Sequence, residues 1–111
     1  MRRHWDEETL TACWTLAEDE LALLQGLSAP NCLGMAVQLK FFQMEGRVQG
    51  RFPRALGEIP VAGLDFLAAQ LQISREALFA YDLQGRSAGR HRRAVREFFG
   101  FRLFLIKFWN I

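Results

Sequence analysis

The sequence predicts an all-α fold, a small bundle of about five helices, and three observations carry that expectation. Apolar residues recur at helical spacing along nearly the whole chain, with little strict alternation. Capping residues, prolines and glycines fall between these runs, where helices start and stop. Half of the 111 residues are apolar, and ten Phe with three Trp supply enough large side chains to fill one core without disulfides or metals.

The elements follow in order. Thr15 and Glu18 have the spacing of a capping box, so a helix is expected over 17–24 with Glu18, Asp19 and Glu20 in its first turn. Gly26 and Pro30 end it. Asn31 can cap a second helix over 32–45, with Gly46 as its stop. That helix is apolar nearly all round, so it belongs in the middle of the bundle, and Gly34 would let a neighbour come close. Phe41, Phe42 and Met44 read as core rather than as a ligand pocket. Residues 46–59 form the longest irregular stretch, where Arg47, Arg51 and Arg54 are either a phosphate-contacting loop or simply solvated. Pro60 suits the first turn of a third helix, running to Leu71.

The segment 67–81 has the pattern of a helix-turn-helix, with Ala68, Leu71, Ile73, Ser74 and Leu78 at the packing positions. Its turn holds Gln72 where glycine is usual, at a cost of about 1 kcal/mol for a positive φ. The short helix that Ser74 caps would expose Arg75, Glu76, Phe79 and Ala80, a thin set for reading bases. A final helix is expected over 86–99, stopped by Gly100, with residues 101–111 extended or partly ordered.

Charge is distributed unevenly. Residues 85–111 carry seven basic side chains and one acid, Glu97, whereas residues 1–84 carry seven basic and eleven acidic ones. The net charge of +2 therefore hides a polarised molecule, built to meet a polyanion. At about 100° per residue, Ala88, His91, Val95, Phe98 and Phe99 share an arc of about 100°, while Arg86, Arg90, Arg92, Arg93 and Arg96 span about 160° on the other side. One face is expected to pack and the other to meet phosphate. His91 lies on the packing side beside the arginines.

Several function classes find no support in the residues. Cys13 and Cys32 have no metal-ligand or paired spacing and read as reduced core residues. The only other His is His4, so a metal site is not expected. No nucleophile constellation and no phosphate-cradling glycine loop is present, so neither catalysis nor a cofactor is expected. No signal peptide and no run of about 20 apolar residues is present, which leads to a cytoplasmic protein that does not enter a membrane.

An ordered series of short motifs then resembles the opening region of the large replicative, Tn-three-type bacterial transposases. Trp14-Thr15-Leu16 comes first. Asn31-Cys32-Leu33-Gly34 with Ala36, Gln38 and Leu39 follows, in the pattern N-x-L-G-x-A-x-Q-L. Gly46-Arg47, Pro60, the Gln70-Leu71-Gln72-Ile73 turn and Tyr81 come next. Gly85-Arg86-Ser87 with His91-Arg92 and Phe99-Gly100-Phe101-Arg102 close the series. The resemblance covers about residues 12–102. It implies a helical domain over 1–102 that binds double-stranded DNA at transposon terminal inverted repeats, with no catalysis, because that family's catalytic carboxylates lie in a separate domain. It implicates Arg86, Ser87, Arg90, His91 and Arg92 near DNA, to which the charge pattern adds Arg93 and Arg96, and the helix-turn-helix pattern adds Arg75 with its neighbours for base reading. Residues 103–111 depart from the family as an atypical apolar tail. Phe104, Leu105, Ile106, Phe108 and Trp109 in that tail support an alternative: a helical interaction module that self-associates or joins the full-length transposase.

Overall fold

A computed structural model of the chain describes residues 5–46 and 51–109. Among them are five α-helices and no strand: α1 (Glu7–Trp14), α2 (Glu18–Leu23), α3 (Ala29–Phe41), α4 (Val61–Leu71) and α5 (Arg86–Trp109). A π-helical turn, Phe42–Gly46, prolongs α3, and 3-10 segments occupy Leu56–Glu58 and Arg75–Ala80. The all-α bundle is as expected.

The apolar helix is indeed the centre. All of residues 33–41 on α3 are buried, and α3 packs against α4, α5 and the Arg75–Ala80 segment. Gly34 is needed for this arrangement. A Cβ there would stand 2.3 Å from the ring of Tyr81, so the aromatic ring lies directly on the helix backbone. Gly63 does the same for Trp14, whose buried ring would meet a Cβ at 2.4 Å and so ties α1 to α4. Phe41 is buried, and Phe42 is stacked between Phe52 and Phe99 at 4.7 and 5.7 Å, which makes these side chains core.

Four expectations about boundaries are corrected. Thr15 is no N-cap; it ends α1, a helix that the sequence reading missed. The Asp6 side chain caps α1 by accepting from Thr9 N at 2.8 Å, with Glu7 and Glu8 in the first turn. The N-cap of α2 sits two residues later than expected, at Ala17, whose side chain cannot cap; there Glu20 Oε1 accepts from Ala17 N at 2.8 Å. Second, α3 starts before Asn31, with Ser28 at the N-cap and Pro30 in the first turn, where its missing N–H costs nothing. Third, Pro60 stands at the N-cap of α4 rather than inside it.

The fourth correction is the largest. Gly100 does not stop the final helix, and residues 101–109 continue it rather than being extended. A glycine inside a helix costs only about 1 kcal/mol. Arg102, one residue past Phe101, offsets that by binding Asp19 at 3.0 Å and Glu20 at 3.3 Å on α2.

Glu20 and Lys40 form a buried ion pair that the sequence reading did not anticipate. Lys40 Nζ lies 2.8 Å from Glu20 Oε1, and Gln43 Nε2 donates to the other carboxylate oxygen at 2.8 Å. With Ala17 N and Arg102 as further donors, the carboxylate is fully satisfied despite being 1% exposed.

The helix-turn-helix pattern is partly realised. Gln72 adopts the left-handed conformation, φ 57° and ψ 42°, and Ile73 N returns to Ala68 O at 3.0 Å, closing the helix end without glycine. The second element, however, is six residues of 3-10 helix rather than an α-helix. It is anchored by Leu78, while Phe79 is 78% exposed.

Candidate nucleic-acid interface

The turn at 82–85 aims α5. Asp82 Oδ1 accepts from Gln84 N and its carbonyl from Gly85 N, both at 3.0 Å, and the helix begins at once. Ala88 and Val95, both fully buried, then press one face of α5 onto the bundle. This fixes which arginines face outward.

The packing face also holds a chain of polar groups. Arg92 Nη1 donates to Gln38 Oε1 at 3.3 Å and to Leu83 O at 2.9 Å. Gln38 Nε2 donates to Ala88 O at 3.2 Å and to Tyr81 Oη at 2.9 Å. An arginine only donates and a carbonyl only accepts, so the Gln38 amide has one permitted orientation. Tyr81 Oη therefore accepts from Gln38, and it shares a second hydrogen bond with His91 Nδ1, 2.7 Å away. Burial, and after it the Arg90 charge, hold His91 below the usual histidine pKa. Burial pushes the Tyr81 phenol up to about 12, against the opposing pull of Gln38 and Arg92.

The expected site residues therefore divide. Arg86, Arg90, Arg93 and Arg96 are exposed on α5. Arg90 Nη2 donates to Ser87 Oγ at 3.1 Å, and Arg96 lies over the Phe52 ring at 5.0 Å. Arg86 and Arg93 make no hydrogen bond or ion pair among the described residues. His91, 8% exposed, and Arg92, half-buried, belong to the network inside. Arg92 sits at the edge of the basic arc on a helical wheel, next to Phe99, which explains why it turns inward. Arg75 is exposed but tied to Asp65 at 3.1 Å across the turn, away from α5. Arg47 lies outside the described residues.

The irregular stretch comes to α5. Arg51, Arg54, Arg92 and Arg96, with Phe52 and Gln84, line an open cavity of about 230 Å³, and no carboxylate is among its lining residues. Gln84 Nε2 donates to Arg54 O at 2.9 Å and fastens the stretch to the turn before α5. Glu58 gathers the stretch from behind, accepting from Arg54 N at 2.6 Å and pairing with Arg51 at 2.7 Å. Those hydrogen bonds, first from the Arg54 backbone and then from Arg51, hold the Glu58 carboxyl below its ordinary pKa.

Residues that carry the family-like motifs meet in the same places. Gly34, Gln38, Tyr81, His91 and Arg92 form the joint between α3 and α5. Gln70 Oε1 accepts from Leu16 N at 2.9 Å, and its Nε2 donates to Trp14 O at 2.7 Å, which clamps α1 to α4. The burial of Glu20, Lys40 and Gln38 as polar groups inside the bundle is what sequence reasoning missed. A lysine and a glutamine inside an otherwise apolar helix were the available signal.

No group of three or more His, Cys, Asp or Glu that could hold a metal ion occurs among the described residues. Cys13 and Cys32 are free. No described helix is long and apolar enough to cross a membrane.

Fold and surface together define a small helical domain with a one-sided arginine face. The chain belongs to the family described as Domain of unknown function (DUF4158), whose model matches residues 1–110, and this domain is often found in transposases. Comparison with curated proteins and with solved structures gave no match.

Proposed function

We propose that this domain binds double-stranded DNA without catalysing a reaction, and that it serves as the terminal-repeat-binding part of a transposase of the replicative, Tn-three type. One observation carries the reading. The outward face of α5 offers Arg86, Arg90, Arg93 and Arg96 with only one acid, Glu97, on the same helix, and it runs into the arginine-lined cavity. Such a face neutralises backbone phosphates and releases their counterions. Base reading falls to Arg75 and its neighbours on the Arg75–Ala80 segment, which is short and already engaged with Asp65. Phosphate contacts are therefore expected to dominate affinity. The association of this family with transposases supports the reading, as does the resemblance of the ordered motifs.

The test is binding to a terminal-repeat duplex and to a scrambled duplex across a salt series. Neutralising about five phosphates gives a slope of log K on log salt near −4 to −5. Tighter binding to the repeat supports recognition, and equal, weak binding to both reduces the claim to non-specific attraction.

A second reading, a protein-interaction module, draws on exposed apolar side chains. Phe101 and Leu103 on α5 are 61% and 58% exposed, and Val61 and Phe79 border an apolar groove of about 430 Å³. A dimer that dissociates on deletion of residues 103–111, together with no DNA shift, favours this second reading.

A further inference from the structure

We propose that the cavity between residues 51–54 and α5 seats a single phosphate of the nucleic-acid backbone, gripped by Arg54, Arg92 and Arg96 with Arg51 at its edge. The source of the phosphate rests on the DNA-binding reading above; the cavity itself rests on geometry.

Size speaks first. At about 230 Å³ the cavity is below the range of about 300–1,000 Å³ typical of small-molecule sites, so it suits one charged group carried on a larger ligand. Charge speaks next. Four arginines line the cavity and no carboxylate does. Glu58, the nearby acid, is engaged with Arg51 and with the Arg54 and Ala55 amides. An anion would meet three further guanidinium groups, of which Arg54 has no hydrogen bond or ion pair from its side chain among the described residues.

Pre-organisation is the decisive observation. Arg92 uses Nη1 for Gln38 and Leu83, which fixes the plane of its guanidinium and leaves Nη2 and Nε to donate. Arg96 is held by the face of Phe52, a buried ring that is stacked on Phe42 in the core. The grip is thus built on packed groups rather than on loose surface charges, as a site that binds with little ordering cost requires. Arg96 also belongs to the outward face of α5. A phosphate held here would therefore fix the position of that face along the duplex.

Two measurements on the full chain test this. Inorganic phosphate is titrated in at constant ionic strength while arginine Nε–H resonances are followed by NMR. Saturable shifts at Arg92 and Arg96 are expected in wild type, with the Arg92 shift lost in the Arg54→Gln, Arg96→Gln double variant. Shifts that rise together at all arginines without saturating overturn the proposal. The same double variant, whose two sites are exposed and whose fold is checked by circular dichroism, is then compared with wild type on duplex DNA. A loss of about tenfold or more in affinity, with a salt slope flatter by about 1, is expected for removing charged contacts to one phosphate. Unchanged duplex affinity in the double variant overturns the cavity while leaving DNA binding intact. Saturable phosphate binding with no duplex binding overturns the backbone as ligand, and with it the proposed function.

Discussion

Arg102 and Arg93 stand on the same helix, yet their surroundings differ completely. Arg102 reaches Asp19 and Glu20 on α2 and lies over Phe98 at 4.7 Å, so its charge is matched and its stem is packed. Arg93 is exposed and without a hydrogen bond or ion pair among the described residues. The first end of the comparison continues inward to the buried Glu20–Lys40 pair, and the second continues sideways to the arginine-lined cavity. A count of basic residues along α5 treats all of them alike. Packing separates them into charges that hold the bundle and charges left exposed on its surface.

The strongest way to break the matched end is at its centre. Lys40→Met removes the buried cation beside Glu20 and leaves only the partly exposed Arg102 to match it, so urea unfolding should show a loss approaching about 3–5 kcal/mol. If stability stays within about 1 kcal/mol, the pair is incidental to the fold. Next in size is the α3 joint. Gly34→Ala drives a methyl group into the Tyr81 ring, and overpacking of this kind costs about 1–3 kcal/mol. The same unfolding assay checks it.

The polar chain beneath α5 predicts a pH dependence. The His91 pKa is lowered in the folded state, so below the unfolded value of about 6.5 the unfolded chain binds a proton that the folded chain refuses. The stability that His91 contributes is complete above that pH and is lost as pH falls toward the depressed folded value. The slope is at most about 1.4 kcal/mol per pH unit. Unfolding measured from pH 7.5 downward should show this slope in wild type and a shallower one in His91→Gln. Identical slopes would place the proton uptake elsewhere. The smallest effect belongs to Arg102→Gln on DNA binding. Because its charge is already matched, duplex affinity and salt slope should stay at wild-type values at a temperature where the variant is folded.

How much of this was legible depends on whether a feature is local. The apolar surround of 33–41 marked α3 as central, Gly34 as a close approach and Gln72 as the strained turn position, and all three are as expected. The wheel of α5 put Ala88, His91 and Val95 on the packing side, where they are buried. Helix α1 escaped notice because Thr15 and Glu18 offered a stronger capping pattern than Asp6 did, although Asp6-Glu7-Glu8 carries the same electrostatic signal. The continuation past Gly100 is accompanied by an ion pair between residues far apart in sequence, Arg102 and Asp19, which no local pattern records. The same holds for the cavity. Arg51 and Arg54 were visible as a basic stretch and Arg96 as part of a helix face, but only tertiary packing brings them together.

The central claim is that the outward arginines of α5 contact DNA rather than support the fold. The most direct measurement is the salt dependence of duplex binding for the Arg90→Ala, Arg93→Ala double variant, paired with its unfolding curve. Removing two phosphate contacts should flatten the slope by about 2, while stability stays within about 0.5 kcal/mol of wild type. A variant that keeps the wild-type slope but unfolds early would contradict the account, because those two arginines would then belong to the structure and not to the interface.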